Sequence, residues 1–591
     1  MRIHAVKTRR ARSVATLAAA CALGLSPGAS AAPVLAPRTP VSLTGAALAG
    51  VAVPSLRLQG ATDLGPVPSG EHVQLSIALQ LRHRALMRRL LSEGKSVDGA
   101  VYAEEFGPAP ATAHAVEGWL KAAGFDVSWA PGSPVLEARG TARSARTAFH
   151  VRIDRYALPR HFASNAGDAG APVFAPHGRP LAPKALARSI ISVLGLDDLP
   201  VPAAINDGAG QCPGVSKPQE DGGFTPRRVA EFYSFEPLYA KGLRGDGQTV
   251  VFMETDGYTA ADLATYAHGF GLPAFEVAGP LHSSAWGTPT PVPYGGACGT
   301  ETELDLEVVH AMAPEAKLVV YEAGQPDNGY ALADVATSLA AAVRTYPTAI
   351  YNLSLGWCED GASARQFDEL FSELSLRGGS AFVASGDSGA FDRSCPAHVL
   401  SVSEPGDSPD ATAVGGTTAL MGEGGAYGEE AAWGGPFEQW GTGGGLSGVF
   451  RRPSWQAGPG VENRFSNGMR QEPDVSAIAD SDTGWDTFGG GTWSVTGGTS
   501  AAAPLWAALG ALADEALAQR YLPPIGEANP ALYDFGAHPS RFPAPAFHPV
   551  TQGGNLYYRA TSPGWNYGTG WGTPIASAVV DDFIAYKSRA R

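Results

Sequence analysis

The chain has 591 residues, 44% of them hydrophobic and 17% charged, with a formal net charge of −15. That length holds roughly two to four domains with ample core, and the apolar content excludes disorder of the whole chain. The acidic balance argues against a general nucleic-acid binder, and no apolar run reaches the ~18–20 residues of a membrane span.

In chain order, Arg2, Lys7, Arg9, Arg10 and Arg12 precede an apolar stretch from Ser13 to Leu25 and the small residues Ala29-Ser30-Ala31. That order predicts an export signal over residues 1–31 and a secreted protein. Cys21 leaves with the signal, so Cys212, Cys298, Cys358 and Cys395 remain in an oxidising compartment. Of three possible pairings, Cys358–Cys395 with Cys212–Cys298 is favoured. Residues 33–200 carry a net +4 and residues 201–591 a net −24. Opposite charges favour association of the two halves at neutral pH, and protonating the carboxylates weakens it.

The front half reads as α+β. Ala78 to Glu93 is predicted as an Arg-rich amphipathic helix, Ala111 to Ala123 as a second and Ala142 to Phe149 as a third. Val135 to Ala138 and His150 to Tyr156 are predicted strands. Residues 160–222, rich in Ala, Pro, Gly and Asp, read as a linker or processing region. The back half alternates β-rich runs (Thr249 to Glu254, Leu318 to Glu322, Ala349 to Leu355, Ser380 to Ser385) with helical ones (Leu304 to Met312, Ala331 to Arg344). Such alternation implies a parallel sheet covered on both faces, with chemistry on loops at the carboxyl ends of the strands.

Three segments carry chemistry. Gly497-Gly498-Thr499-Ser500 opens an apolar helix, where free N–H groups favour a developing anion, although a serine there is also an ordinary helix cap. Glu301 and Asp305 lie four apart on one helical face, where close carboxylates couple; a solvated acidic face is the plainer meaning of the run. In Ser385-Gly386-Asp387-Ser388-Gly389 the strand-end Asp387 is a better candidate than Ser388, since a trypsin-like nucleophile needs a β-barrel and an upstream histidine. Residues 201–591 contain six histidines (268, 282, 310, 398, 538 and 548), none in a His-Gly-Thr context. A glutamate is therefore the candidate base for Ser500, at acid pH.

Glu301-x-x-x-Asp305, Ser385 to Gly389 and Gly497 to Pro504, with Phe224-Thr225-Pro226, Gly443 to Ser447 and Pro473 to Ser476, resemble the sedolisin (serine-carboxyl peptidase) family, including kumamolisin-like members. The likeness spans roughly residues 55–580, and the front half, with Phe106-Gly107-Pro108, is similar to the family's activation propeptide. The resemblance implies an α/β, subtilisin-like catalytic domain with a parallel sheet flanked by helices, preceded by an α+β ferredoxin-like propeptide. The expected boundaries are 1–31 signal, 32–199 propeptide, 200–222 linker and 223–591 catalytic domain. Ser500 would be nucleophile, Glu301 general base and acid, Asp305 its orienting partner and Asp387 a protonated oxyanion donor. Glu254 matches an outer glutamate of the network. Ser354, Leu355, Gly356 and Gly498 match substrate-binding positions, with Leu355 in place of the family's tryptophan.

The resemblance also implies a calcium site near the C-terminus, from which this sequence departs. Pro549 and Asn566 stand where two aspartates are expected, leaving the backbone carbonyls of Val550, Ser562 and Gly564 and the neutral oxygen of Asn566. Calcium affinity follows ligand charge, so no metal or other cofactor is expected. The function expected is a secreted, monomeric acid endopeptidase made as a proenzyme, acting on proteins and peptides, with its own propeptide as partner in cis and no nucleic acid or membrane. The alternatives are a tripeptidyl aminopeptidase and a catalytically dead binding protein.

Overall fold

The computed structural model describes residues 45–47, 60–157, 172–199, 223–281, 300–323, 331–395, 398–422, 426–435, 440–561 and 563–589. In the N-terminal module, β1 (His72–Leu79), β2 (Asp126–Trp129), β3 (Val135–Thr141) and β4 (Ile190–Leu194) form an antiparallel sheet in the order β2-β3-β1-β4. Helices α1 (Arg84–Ser92) and α2 (Pro110–Ala122) separate β1 from β2, and α3 (Ala142–Phe149) follows β3. This is the ferredoxin-like arrangement. Leu75, Ile77 and Leu79 of β1 pack with Val116 and Leu120 of α2 and Phe149 of α3.

Two sequence expectations are corrected here. Ala78 and Leu79 end a strand, and the helix expected from Ala78 begins at Arg84. Val73, Leu75, Ile77 and Leu79 point into the core at the two-residue spacing of a strand, whereas the helical pair Met87 and Leu91 begins later. The region 160–222 is not linker throughout, because Val173–His177 and β4 lie in it as strands of the module. Residues 158–171 and 200–222 lie outside the described residues.

The C-terminal module is built on eight strands. They are β5 (Thr249–Glu254), β6 (Val277–Leu281), β7 (Lys317–Glu322), β8 (Ile350–Leu353), β9 (Ser380–Ala384), β10 (Thr412–Met421), β11 (Tyr427–Ala432) and β12 (Val475–Ile478). Their order is β6-β7-β5-β8-β9-β10-β11, with β12 also on β10, and the pairing is parallel except between β10 and β11. Helices α4 (Glu301–Met312), α5 (Leu332–Thr345) and α6 (Ser363–Arg377) are the crossovers, and α7 (Thr499–Ala518) crosses the sheet as a buried central helix. Alternate strand residues feed two cores. Val250, Phe252, Val320 and Phe382 pack with α4 and α7, while Val251, Met253, Val319 and Val383 pack with α5 and α6.

That second core also takes in Val135 and Leu194 of the N-terminal module, so the ferredoxin-like sheet rests on α5 and α6. Polar contacts fix the register. Gln366 on α6 donates to Ser76 Oγ at 2.6 Å and accepts from Ser192 Oγ at 2.5 Å, and Gln74 donates to Asp334 on α5 at 3.0 Å. Arg84 pairs with the buried Glu369, and Leu376 packs among Leu81, Met87, Leu91, Tyr102 and Phe106. Cys358 and Cys395 form the expected disulfide, tying the segment after β8 to the one after β9; Cys212 and Cys298 lie outside the described residues.

Candidate active site

The carboxyl ends of β5, β8 and β9 and the first turns of α4 and α7 converge. Thr300 caps α4 in a reciprocal box with Glu303: its hydroxyl accepts from the Glu303 N–H, and the Glu303 carboxylate accepts from the Thr300 N–H, each at 3.1 Å. Glu301 is thereby the first helical residue and Asp305 lies one turn on. All of α4 is buried, which overturns the solvated-face reading of its acidic run.

Asp305 is held from β8, where Asn352 donates to its Oδ2. Asn352 also donates to Ser354 Oγ at 3.2 Å. Both carboxyl oxygens of Glu301 are buried, and the Ser500 hydroxyl faces them, drawing the Glu301 pKa down against burial and the nearby Asp305. Burial dominates and holds Glu301 well above the ordinary carboxylate range, with Asp305 lifted to about 8. Glu254 ends β5, is 2% exposed, and is raised by burial and then by Asp305. The carboxyls therefore share protons as a coupled set.

Ser500 is the second residue of α7, after Gly498 at φ 91°, a left-handed backbone that glycine adopts freely. Asp387, beyond the end of β9, accepts on one oxygen from the Thr499 N–H and hydroxyl, each at 2.7 Å. A β-carbon on Gly498 would stand 2.8 Å from the other Asp387 oxygen, so the glycine is what lets that carboxyl approach the Ser500 turn. A carboxyl with one oxygen doubly bonded in this way can carry its proton on the other and donate it to a developing oxyanion.

Of the other expected residues, Ser354 donates to the Ser500 carbonyl at 3.2 Å, and Leu355 is buried in the core shared with α5 and α6. Gly356 lies against Ser403, 3.3 Å from where its β-carbon would be. Asn352, Asp256 and Thr499 were not singled out by the sequence. Asn352 has a legible signal, a polar side chain inside the apolar strand Ile350-Tyr351-Asn352-Leu353. Among the described histidines none is hydrogen-bonded to Ser500 or Glu301; His310 donates from Nε2 to the Pro273 carbonyl at 2.8 Å, and His548 stacks on Tyr427 with burial lowering it to about 4.

The donors at the family's calcium position do not fit that cation. Asn566 Oδ1 accepts from the N–H groups of Gly568 and Thr569 at 2.9 and 3.0 Å, and its Nδ2 donates to Val550 O at 3.3 Å. An N–H thus meets the carbonyl that would face the ion, and the two expected carboxylates are absent.

Residues 59–199 match the model of the pro-kumamolisin activation domain, and residues 293–524 that of the subtilase family. Kumamolisin of Bacillus sp. strain MN-32 is 32% identical over 78% of this chain and 80% of its own length. Bovine tripeptidyl-peptidase 1 (Bos taurus) is 26% identical over 88% of this chain and 93% of its own. A solved structure of Pseudomonas sedolisin, a serine-carboxyl proteinase complexed with pseudo-iodotyrostatin, superposes with a TM-score of 0.52. It is 28% identical and covers 62% of this chain and 98% of that one.

Proposed function

The chain belongs to the sedolisin family of serine-carboxyl peptidases, and from that premise we propose a secreted proenzyme whose mature form is an endopeptidase active at acid pH. Ser500 facing Glu301, with Asp305 behind it, carries this reading. Ser500 Oγ attacks the peptide carbonyl as its proton passes to Glu301, and protonated Asp387 donates to the oxyanion. Glu301 returns the proton to the departing amine, leaving an acyl-enzyme ester. Glu301 then deprotonates a water that attacks the ester, and it passes that proton to the departing Ser500 Oγ as the acid product leaves. The need for a proton on Asp387 ties the reaction to acid conditions.

In this reading residues 1–31 are the export signal, 32–199 the propeptide, 200–222 the processing linker and 223–591 the peptidase. The propeptide is docked on α5 and α6 until protonation of the acidic catalytic half loosens it. The endopeptidase mode comes with the kumamolisin-like motifs; the likeness to tripeptidyl-peptidase 1 supplies the competing mode.

Ser500→Ala and Glu301→Gln should each cost several orders of magnitude in rate, while single replacement of the six histidines leaves the chemistry intact. Loss of activity in a folded histidine variant would overturn the triad. An N-acetylated peptide should be cut as readily as its free counterpart. Release of tripeptides from the free peptide alone would establish the aminopeptidase mode instead.

A further inference from the structure

Asp256 lies two residues past the end of β5, in the segment Glu254-Thr255-Asp256. Its Oδ2 accepts from the N–H of Glu301 at 2.9 Å. Its Oδ1 accepts from the Thr302 N–H at 3.1 Å and the Thr302 hydroxyl at 2.6 Å. These are the first two N–H groups of α4, and Thr300 takes the third. Burial raises the Asp256 pKa, and the three donors at the positive end of the helix work against that rise and favour its charged form.

The titratable groups coupled to Asp256 are carboxyls. They are Glu254 on its own strand, Glu301 and Asp305 on α4 and Glu322 at the end of the neighbouring β7. In each, the charge of Asp256 favours the protonated form, adding to burial. Glu254 and Glu322 are direct partners in the β5–β7 register, so three elements deliver acids to one place. Five carboxyls this close cannot all ionise, and the one with the best donors takes the charge.

We infer that Asp256 is a positioning residue for catalysis: the ionised member of the carboxyl set, which both fixes the backbone of Glu301 and keeps protons on Glu301, Asp305 and Glu254. The inference rests on the triad reading, since it matters only if Glu301 is the base. Asp256 touches no substrate and acts through Glu301. Its charge sets the pH at which the Glu301–Asp305 pair gives up its first proton, and hence the acid limb of the activity profile.

The test is the pH dependence of kcat/KM on a chromogenic peptide for the matured wild type, Asp256→Asn and Thr302→Val. Removing the charge of Asp256 should move the acid limb to lower pH by about half a unit or more, leave the alkaline limb in place and lower kcat more than it changes KM. Thr302→Val keeps the carboxyl but takes away one donor, so it should move the same limb in the same direction by less. It is also the variant to read should Asp256→Asn fail to fold. Profiles that superimpose on wild type after scaling would make Asp256 a purely structural cap and overturn the inference. Glu301→Gln separates the two layers. If it is inactive while the acid limb of the Asp256 variant is unmoved, the triad stands and the role of Asp256 falls; if it is fully active, the triad itself is wrong.

Discussion

The hydroxyl of Ser354 donates to the backbone carbonyl of Ser500 across 3.2 Å. In a regular helix that carbonyl accepts from the N–H four residues on, but the residue there is Pro504, which has none. Ser354, just past β8, replaces the missing bond from outside the helix. It also accepts from Asn352, whose amide holds Asp305. One short polar chain thus ties Ser500 to Asp305 through the side chains of Ser354 and Asn352.

Ser354→Ala should therefore act on position, not on substrate affinity. It leaves a buried carbonyl unsatisfied, a cost of about 1–3 kcal/mol. A fall in kcat of roughly tenfold is expected, with KM little changed. A rise in KM at constant kcat would instead assign Ser354 to substrate binding, as its family motif implies.

Docking of the N-terminal module gives a second expectation. Arg84 is the cation beside Glu369, whose side chain is fully buried in α6 and which burial lifts to about 8. At acid pH Glu369 is protonated and Arg84 still donates a hydrogen bond to it, so Arg84→Ala should weaken docking by about 1 kcal/mol and speed conversion by roughly fivefold. The same change in a Ser500→Ala background should give no conversion. Electrophoresis at timed intervals checks both, and processing of the pure Ser500→Ala protein at the wild-type rate would refute self-maturation.

Much of this was legible in the sequence because it is periodic or punctuated. The parallel strands announced themselves as apolar runs between helices, and Ser500 as a serine between paired glycines and an apolar helix. The start of α1 is not legible because Ala78 and Leu79 are good helix formers, while tertiary packing on both faces of β1 makes them strand. Strands around residues 173–177 and 190–194 were hidden in a Pro/Ala-rich composition that reads as linker. Asp256 is not legible in the sequence because its meaning is spatial. Asp256 is an unremarkable acid until α4 is placed with its N-terminus against it, and no spacing rule joins residue 256 to residue 301.

A third prediction concerns stability against pH. Asp407 and Glu472 are fully buried, and none of their four carboxyl oxygens has a hydrogen-bond partner. Glu404 and Glu359 face Asp407, and burial pushes Asp407, Glu472 and Glu404 well above the carboxylate range. The folded state thus keeps protons that the unfolded chain releases above pH ~4. With folded pKa values raised, stability is full below that pH and declines as pH rises, by about 1.4 kcal/mol per pH unit for each such group. The melting temperature should fall between pH 4 and pH 7, and the double variant Asp407→Asn, Glu472→Gln should flatten the decline. A wild-type melting temperature that is constant or rises over that range would show that these acids do not limit stability.

The last prediction concerns calcium. In the loop where the family places the ion, Asn566 spends its whole amide on the loop itself, accepting from Gly568 and Thr569 and donating to Thr569 Oγ1 at 2.9 Å and to Val550 O. Trp565 donates to Pro473 O at 3.0 Å, and Tyr558 and Tyr567 stack with centroids 4.3 Å apart, so packing and hydrogen bonds give the segment its shape. A cation there would have to displace the Asn566 amide from Val550 O and would gain neutral oxygens alone, the weakest donor set for a hard divalent ion. Melting curves in excess EDTA and in millimolar calcium should therefore coincide. A ligand bound by the folded state alone at ~100 times its dissociation constant adds about 2.7 kcal/mol, which moves the melting temperature by several degrees. Restoring the acids with Pro549→Asp and Asn566→Asp should create that calcium-dependent shift, whereas a shift already present in the wild type would show that other oxygens bind the ion.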